Sequence, residues 1–331
     1  MRAIEISGSS FDQLKLVEKS VADPGPGEVQ LRIKAATLNY RDLLLLQRGN
    51  PDGKLPYVPL SCACGEVTAV GKGVTRVQVG DRAMPAFFQN WFSGAIPSQE
   101  SVRALGGALD GVAREVGCFP QEAVVKAPDT LGDLEAATLP CAGLTAWSAL
   151  FVAQATKPGD TVLLLGTGGV SIAALQLAKA AGATVIITSS SESKLVRARA
   201  MGADHTINYR STPAWGDRAR ELTGGRGVEL VLEVGGAGTL EQSIRALREG
   251  GKIAAIGLLT GTTVWQAPGR AITPLRIRVG NRDQLEDLVR GMVATGLRPV
   301  VDRVFPLEEL GQALATLRSG AFFGKIAIEI R

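Results

Sequence analysis

Glycines follow a short apolar run in the middle of the chain at a spacing that suits phosphate binding. The run TVLLL (161–165) precedes Gly166, Gly168 and Ser171, which hold the three glycine positions of a G-x-G-x-x-G motif. Glycine permits a tight turn and close approach of a pyrophosphate, and the following helix start offers free N–H groups. The alternative is a strand-to-helix turn that binds nothing. We predict that the phosphates of a dinucleotide are bound by Gly166, Thr167, Gly168, Gly169 and Val170.

The next apolar run, ATVIIT (183–188), ends without the carboxylate that accepts the ribose hydroxyls in NAD sites. Ser189, Ser190 and Ser191 follow it, and Lys194 lies in the first turn of the next predicted helix. Hydroxyls, a helix N-terminus and an ammonium group attract a 2′-phosphate, which a carboxylate would repel. The pattern favours NADP(H) over NAD(H). The alternative is that the serines only cap the helix and that Lys194 is a solvated surface residue.

Histidine and cysteine are scarce, which excludes several chemistries. His205 is the single histidine, so multi-histidine metal sites are excluded. The four cysteines, Cys62, Cys64, Cys118 and Cys141, contain no CxxC pair. In an intracellular chain they are expected to be free thiols, with Cys62, Cys64 and Cys118 as small apolar core residues. Redox chemistry by cysteine is not expected.

The composition is that of a globular protein. The chain has 331 residues, 45% of them hydrophobic and 21% charged, which is enough for one large or two medium domains. The net charge of +4 arises from basic and acidic residues interspersed along the chain, so nucleic acid is not an expected partner. The sequence begins without the pattern of a signal peptide and has no uninterrupted apolar run of membrane length. We expect a cytoplasmic protein that acts on a small molecule.

Two regions of the chain have different patterns of secondary structure. Residues 27–126 contain short strands and Pro/Gly turns, whereas strands and helices alternate from about residue 161. Repeated βα units predict an α/β fold with a parallel, doubly wound Rossmann sheet beside a β-rich domain. The last strand, KIAIEI, resembles the first region, so we expect residues 1–126 and 297–331 to form one domain and residues 127–296 the other. Between them, a helix is expected from the N-cap Asn281 to Gly296.

Several motifs occur together in order: GEVQLRIKAATLNYRD, VTAVGKGVTRVQVGDR, LPCAGLTAWSAL and GKIAAIG, with the glycine motif between the last two. In this combination the chain resembles the medium-chain dehydrogenase/reductase superfamily over nearly its whole length. The resemblance implies a GroES-like substrate domain, a Rossmann cofactor domain and an NAD(P)-dependent oxidoreductase.

Zinc-dependent members of that family bind the catalytic metal through Cys, His and Cys. This chain has Asn39 at the first position, Ser61 at the second and Cys141 at the third. One thiolate, an amide and a hydroxyl are a poor ligand set for Zn²⁺. The chain is therefore more similar to the zinc-free branch, which includes the quinone oxidoreductases and zinc-lacking alcohol dehydrogenase-like proteins, and we expect no zinc.

The resemblance also suggests catalytic residues in the NYRD segment. Asn39 and Tyr40 would donate hydrogen bonds to a substrate oxygen, with Tyr40 the first candidate and Tyr57 the second. Tyr40 packing under the cofactor is an equal alternative. Asp42 is a third candidate, although it would otherwise simply pair with Arg41.

Cofactor residues follow from the same resemblance. Lys194 and Tyr209 match a lysine and tyrosine pair that holds the NADPH 2′-phosphate. Thr145 matches a residue near the nicotinamide, and Gly257 ends the GKIAAIG motif. The aromatic residues Phe87, Phe88, Trp91 and Phe92 either wall an apolar substrate pocket or fill the loop that replaces a zinc lobe.

Together these features predict an NADPH-dependent reductase of quinones, enones, enals or aldehydes. A zinc-free alcohol or ketone oxidoreductase is one alternative, and an NADPH-binding structural or sensor protein with little catalysis is another. A homodimer is expected through the edge strand LRIRV (275–279), with Trp265 against the partner. The alternative is a monomer in which Arg276 and Arg278 block edge pairing.

Overall fold

The computed structural model describes residues 1–49, 55–98, 102–257, 266–267, 270–272 and 274–331. The strands, in chain order, are β1 (Arg2–Ile6), β2 (Leu14–Glu18), β3 (Glu28–Thr37), β4 (Cys62–Val70), β5 (Arg82–Pro85), β6 (Val116–Pro120), β7 (Val124–Lys126), β8 (Thr161–Leu164), β9 (Thr184–Ser189), β10 (His205–Asn208), β11 (Val228–Glu233), β12 (Leu247–Ala255), β13 (Gln266–Ala267), β14 (Arg270–Ala271), β15 (Leu275–Arg276), β16 (Val301–Pro306) and β17 (Lys325–Glu329).

The α-helices are α1 (Tyr40–Arg48), α2 (Asp133–Ala136), α3 (Leu144–Trp147), α4 (Gly169–Ala180), α5 (Glu192–Ala200), α6 (Trp215–Leu222), α7 (Leu240–Ala246), α8 (Arg282–Thr295) and α9 (Leu310–Ser319). Two π-helical turns extend α2 and α3 into one helical segment, Asp133–Ala153. Among the described helices, this segment alone has the length and apolarity to cross a bilayer, and 78% of its apolar window is buried inside the protein, as in a core helix.

The chain forms two compact units, with boundaries after Leu144 and after Arg278. The first unit comprises Met1–Leu144 and Val279–Arg331, and the second comprises Thr145–Arg278. The sequence places these boundaries after residues 126 and 296 instead. The difference arises because α2 packs on β3 and β4, and α8 packs on β7, so both helices join the first sheet.

The first unit is built on a sheet in the order β16-β17-β3-β4-β5-β7, with β6 also paired to β3. Inward residues alternate along β3, where Val29, Leu31 and Ile33 are buried, as expected for a strand with one face on a core. The final strand, β17, pairs antiparallel with β3, with Ala327 opposite Thr37. The C-terminal strand therefore belongs to the sheet that begins near the N-terminus.

The second unit has the parallel sheet order β10-β9-β8-β11-β12-β15. Every residue of β8 and β11 is buried, which is typical of strands covered on both faces. These two units confirm the α/β fold, with a doubly wound parallel sheet in one unit and a β-rich GroES-like sheet in the other.

The structure corrects one local expectation and confirms another. In LRIRV only Leu275–Arg276 forms a strand, at the edge of the parallel sheet. The helix α8 has the expected caps, Asn281 and Gly296.

Candidate functional site

The glycine-rich turn of the second unit leaves open space beside its backbone. Gly166 has a φ of 71°, a left-handed conformation that favours glycine, and its N–H donates to the Thr188 hydroxyl at 3.3 Å. Gly168 caps α4, and a Cβ added there would meet no atom within 4 Å. Ser171, at the third motif position, donates to the Leu165 carbonyl at 2.7 Å. The turn, which also contains Thr167, Gly169 and Val170, can therefore admit a phosphate group against its N–H groups.

A second group of polar residues gathers at the end of β9. Ser189 is the last residue of β9 and Ser190 follows it, while Lys194 lies half-buried in the first turn of α5. The Tyr209 N–H donates to the Ser189 carbonyl at 3.1 Å, and the Tyr209 residue is 41% exposed. Parallel strands β9 and β10 thus bring residues 20 positions apart to one sheet edge. We call this group and the glycine-rich turn the nucleotide edge: Gly166–Gly169, Ser189, Ser190, Lys194 and Tyr209.

Two other cofactor candidates lie in different surroundings. Gly257 follows β12, and a Cβ there would lie 2.0 Å from the Val234 carbonyl oxygen, so close backbone packing alone requires a glycine. Thr145 is buried in α3. His205 begins β10 opposite Ile186 and is partly exposed, in line with a structural rather than a catalytic histidine.

Asn39 lies at the centre of a buried polar cluster in the first unit. It is 8% exposed and caps α1. Its side-chain Nδ2 donates to the Cys62 sulfur at 3.1 Å and lies 3.4 Å from the Ser61 hydroxyl. Its Oδ1 accepts a hydrogen bond from Lys325 Nζ at 2.7 Å. We call Asn39, Ser61, Cys62, Cys141 and Lys325 the amide cluster.

Lys325 is the residue of this cluster that the sequence analysis missed. It is the first residue of β17, is only 5% exposed, and also donates to the Leu38 carbonyl. The pairing of β17 with β3 carries it to Asn39, which follows β3 after one residue. The available signal was a single lysine at the start of the otherwise apolar run KIAI. A buried lysine with two oxygen acceptors fixes the orientation of the Asn39 amide.

The two buried cysteines of the cluster have opposite acidities. Burial alone would raise the pKa of Cys62, but hydrogen bonding with Cys141, the charge of Lys325 and the Asn39 amide outweigh burial and lower that pKa to about 7. The interaction with Cys62, together with burial, raises the pKa of Cys141 well above its usual range. Cys62 is a buried core residue, as expected, and it also accepts a hydrogen bond from Asn39.

Cys64, two residues further along β4, behaves as the sequence suggests. It is fully buried, and its thiol donates to Asp133 Oδ1 at 3.5 Å. Burial and the nearby Asp133 carboxylate raise the pKa of Cys64. Cys64 is thus a neutral thiol.

Asp42 and Tyr40 hold different positions at the start of α1. Asp42 is buried, and its Oδ2 accepts from the Asn39 N–H at 2.7 Å. Burial raises the pKa of Asp42, although Arg41, 3.9 Å away, opposes that rise. Tyr40 is 42% exposed, whereas Tyr57 is buried, which raises its pKa to about 12. Asp42 therefore positions Asn39, while Tyr40 is the more exposed of the two tyrosines.

Aromatic side chains pack around the two cluster cysteines. Phe87, Phe88 and Trp91 form one buried group with Cys62 and Cys141. Phe87 and Phe88 meet edge to face with ring centroids 4.7 Å apart. The fourth aromatic residue of the run, Phe92, lies under the Arg282 guanidinium instead, 5.8 Å from it. Three of the four aromatic residues thus wall the amide cluster.

The amide cluster does not fit a catalytic zinc ion. Asn39 Oδ1, the donor atom at the first ligand position, already accepts from the Lys325 ammonium group, which would repel a cation. Ser61 offers a neutral hydroxyl, so only the two sulfurs remain as strong donors. Within the described part of the chain, no three His, Cys, Asp or Glu side chains gather as a metal site.

A chain that has one unit with a parallel sheet of the nucleotide-binding kind and one GroES-like β unit is an NAD(P)-dependent oxidoreductase. Residues 25–129 match the family model described as the alcohol dehydrogenase GroES-like domain, and residues 169–290 match the one described as zinc-binding dehydrogenase. The chain belongs to the medium-chain dehydrogenase/reductase superfamily.

Curated relatives extend over almost the whole chain. A zinc-type alcohol dehydrogenase-like protein of Schizosaccharomyces pombe is 43% identical across 98% of this chain and 97% of its own length. A 2-haloacrylate reductase of a Burkholderia species is 31% identical across 94% of this chain and 93% of its own.

Solved structures agree in fold. An NAD-dependent alcohol dehydrogenase superposes with a TM-score of 0.91 at 32% identity, covering 100% of both chains. A mycobacterial protein complexed with NADPH superposes with a TM-score of 0.84 at 28% identity, covering 99% of both chains. The first of these neighbours is named for NAD, and the second is complexed with NADPH.

Proposed function

We propose that this protein reduces activated carbonyls or conjugated alkenes, such as quinones, enones, enals and aldehydes, with NADPH and without zinc. The observation that carries the proposal is the hydrogen bond from Lys325 to Asn39 Oδ1, at the position where zinc-dependent relatives hold a metal ligand. Without a Lewis acid, only substrates that accept hydride readily are suitable. The 2-haloacrylate reductase among the relatives supports this class of substrate.

The nucleotide edge suits NADP(H). Gly166 and Gly168 leave room for the pyrophosphate at the N-terminus of α4, and the N–H groups there would hold it. Ser189, Ser190, Lys194 and Tyr209 would hold the 2′-phosphate, since hydroxyl and ammonium groups donate to it. When bound, the nicotinamide supplies the hydride. The NADPH complex of the mycobacterial neighbour supports this assignment.

A hydrogen-bond donor of the first unit would polarise the substrate. The hydroxyl of Tyr40, a residue that is 42% exposed, is the donor that we assign to the substrate oxygen. A preorganised donor of this kind lowers the barrier by about 2.7–4 kcal/mol. Asn39 has a positioning role in this proposal, because its Nδ2 already donates to Cys62, while Lys325 binds its oxygen and Asp42 its backbone N–H. Phe87, Phe88 and Trp91 would exclude water from the apolar part of the substrate.

A zinc-free alcohol or ketone oxidoreductase is the second candidate, favoured by the name of the Schizosaccharomyces pombe relative. A nucleotide-binding protein with little catalysis is the third. NADPH oxidation by the purified protein should be measured over a panel of quinones, enones, aldehydes and simple ketones, with metal analysis of the same sample. We expect turnover with quinones or enones and less than one zinc per chain. Turnover confined to ketones would favour the second candidate, and tight NADPH binding without turnover would favour the third.

We further propose a cytoplasmic homodimer that joins the β15 edges of two chains. The Ile277 N–H donates to the Ala255 carbonyl of β12, so the segment that follows β15 still runs alongside β12. Trp265, which the sequence analysis expects to lie against the partner, is outside the described residues. Light scattering should give about twice the chain mass of 34.6 kDa, and a value near the single mass would refute the dimer.

A further inference from the structure

Glu233, the last residue of β11, is a buried carboxylate that the proposed function does not yet use. It is fully buried, and its Oε1 accepts hydrogen bonds from the Gly235 N–H at 2.7 Å, the Gly236 N–H at 3.0 Å and the Thr239 hydroxyl at 2.6 Å. Its Oε2 accepts from the Ser243 hydroxyl in α7. Burial of a carboxylate is costly unless its oxygens are satisfied in this way. The carboxylate therefore fixes the turn that follows β11.

The backbone of Glu233 binds the neighbouring strand as well. Its carbonyl accepts from the N–H groups of Ile256 at 3.0 Å and Gly257 at 3.1 Å, at the end of β12. A Cβ at Gly257 would lie 2.0 Å from the Val234 carbonyl oxygen, so the two strand ends are in close backbone contact. We call residues 234–239, Ile256 and Gly257 the β11–β12 rim. Glu233 holds one part of this rim by its side chain and the other by its backbone.

The order of the parallel sheet places this rim relative to the glycine-rich turn. β8 has β9 and β10 on one side and β11 and β12 on the other. Leu232 pairs with Leu164 of β8, so Val234, two residues further, is level with Gly166. Ligands of open α/β sheets bind outside the carboxyl ends of the strands. A dinucleotide whose pyrophosphate lies at the glycine-rich turn and whose 2′-phosphate lies at the ends of β9 and β10 must therefore extend its other half over β11 and β12.

We propose that Glu233 is a positioning residue for the nicotinamide half of NADPH. The proposal rests on the proposed function, which places the pyrophosphate at the glycine-rich turn. Because Glu233 binds the N–H groups of Gly235 and Gly236, it holds the turn in one conformation, and the nicotinamide and its ribose would lie against the β11–β12 rim. The buried carboxylate acts through the shape of this rim. A preformed surface raises affinity because less order has to be gained on binding.

Two ligands separate the halves of the cofactor: NADPH, and ADP-ribose 2′-phosphate, which is NADPH without its nicotinamide. Titration calorimetry on the purified full chain gives the dissociation constant of each. In Glu233→Ala the value for NADPH should rise about tenfold, which corresponds to about one lost hydrogen bond, while that for ADP-ribose 2′-phosphate should change less than about twofold. Glu233→Gln should restore NADPH binding, because its amide oxygen can accept from the three donors to Oε1 and its NH2 group can donate to the Ser243 hydroxyl.

Glu229, at the opposite end of β11, gives the matched control. It is also buried, and its carboxylate accepts from the Thr161 N–H at 2.8 Å and from Arg248 Nε at 3.0 Å. Glu229→Ala removes a buried carboxylate at the amino edge of the same strand. It should lower the free energy of unfolding in urea without changing the ratio of the two dissociation constants.

Thr239→Val tests the same turn with less disturbance, since it removes only one donor to Glu233 Oε1. NADPH binding should weaken about threefold, with ADP-ribose 2′-phosphate unchanged. If Glu233→Ala does not fold, this variant decides by itself. Equal weakening of both ligands, or unchanged binding of NADPH, would overturn the proposal. Failure of the proposed function gives a different result, in which the wild type binds NADPH and NADH equally, and the comparison of NADH with ADP-ribose then tests Glu233 in the same way.

Discussion

The nucleotide edge and the amide cluster are assembled from the sequence in different ways. The glycine-rich turn lies within four consecutive residues, and Ser189, Ser190 and Lys194 lie within six. The amide cluster instead joins Asn39 to Lys325, which follows it by 286 positions. The nucleotide edge is built by one βα unit and its neighbour. The amide cluster is built by the pairing of β3 with β17, which lie far apart in the chain. Local spacing thus determines one region and tertiary pairing the other.

Gly168→Asp tests the local region with the largest expected effect. Because a Cβ at Gly168 meets no atom and its φ of −81° suits any residue, the variant should fold normally. A carboxylate beside the pyrophosphate should weaken NADPH and NADH binding alike by about 100-fold, as expected for about 3 kcal/mol of repulsion. Titration calorimetry measures both, with Gly168→Ala as the control of near-normal affinity. Unchanged binding in Gly168→Asp would mean that the glycine-rich turn is not part of the cofactor site.

The same contrast explains how far the sequence could predict the molecule. The parallel sheet, the caps Asn281 and Gly296, and the glycine-rich turn follow from periodicity and spacing. The NYRD motif predicts Asn39 as a site residue. It does not predict the hydrogen bond that Lys325 donates to Asn39, because no local pattern indicates which strand pairs with β3. The altered acidity of Cys62 depends on Asn39, Cys141 and Lys325 together, and Cys64 on the same strand lacks them.

Lys325→Met tests the long-range region. It removes the donor to two buried oxygens, on Leu38 and Asn39, and an unsatisfied buried acceptor costs about 1–3 kcal/mol. The free energy of unfolding in urea should fall by at least that amount. Lys15→Met, at an exposed position of β2, is the matched control and should change it by less than about 0.5 kcal/mol. Equal stability of the two variants would mean that Lys325 does not organise the cluster.

The variants Lys194→Ala and Tyr209→Phe test whether the nucleotide edge binds the 2′-phosphate of NADPH. Each removes a proposed donor to the 2′-phosphate, and a charge-assisted hydrogen bond contributes about 1.5–3 kcal/mol. The dissociation constant of NADPH should therefore rise about tenfold or more, while that of NADH is barely affected. Lys179→Ala serves as the control, since Lys179 pairs with Asp204 instead. Equal weakening of both cofactors would contradict the assignment.

A further expected effect is the pH dependence contributed by Cys62. Its pKa is lowered from 9.0 to about 7 in the folded protein, so the folded state binds fewer protons than the unfolded state between these values. The unfolding free energy of the wild type, relative to Cys62→Ser, should rise as pH increases from 7 to 9 and be flat below 7. Relative to Cys64→Ser no such rise is expected, because the pKa of Cys64 is raised. Identical profiles against the two variants would refute the difference between these cysteines.

The most direct test of the central claim compares kcat/KM for NADPH and NADH with one enone, before and after chelator treatment, on protein whose zinc content is known. We predict a preference for NADPH of about tenfold or more, from the 2′-phosphate contacts, and no loss of activity on chelation. A preference for NADH, or activity that disappears together with about one bound zinc per chain, would contradict this prediction.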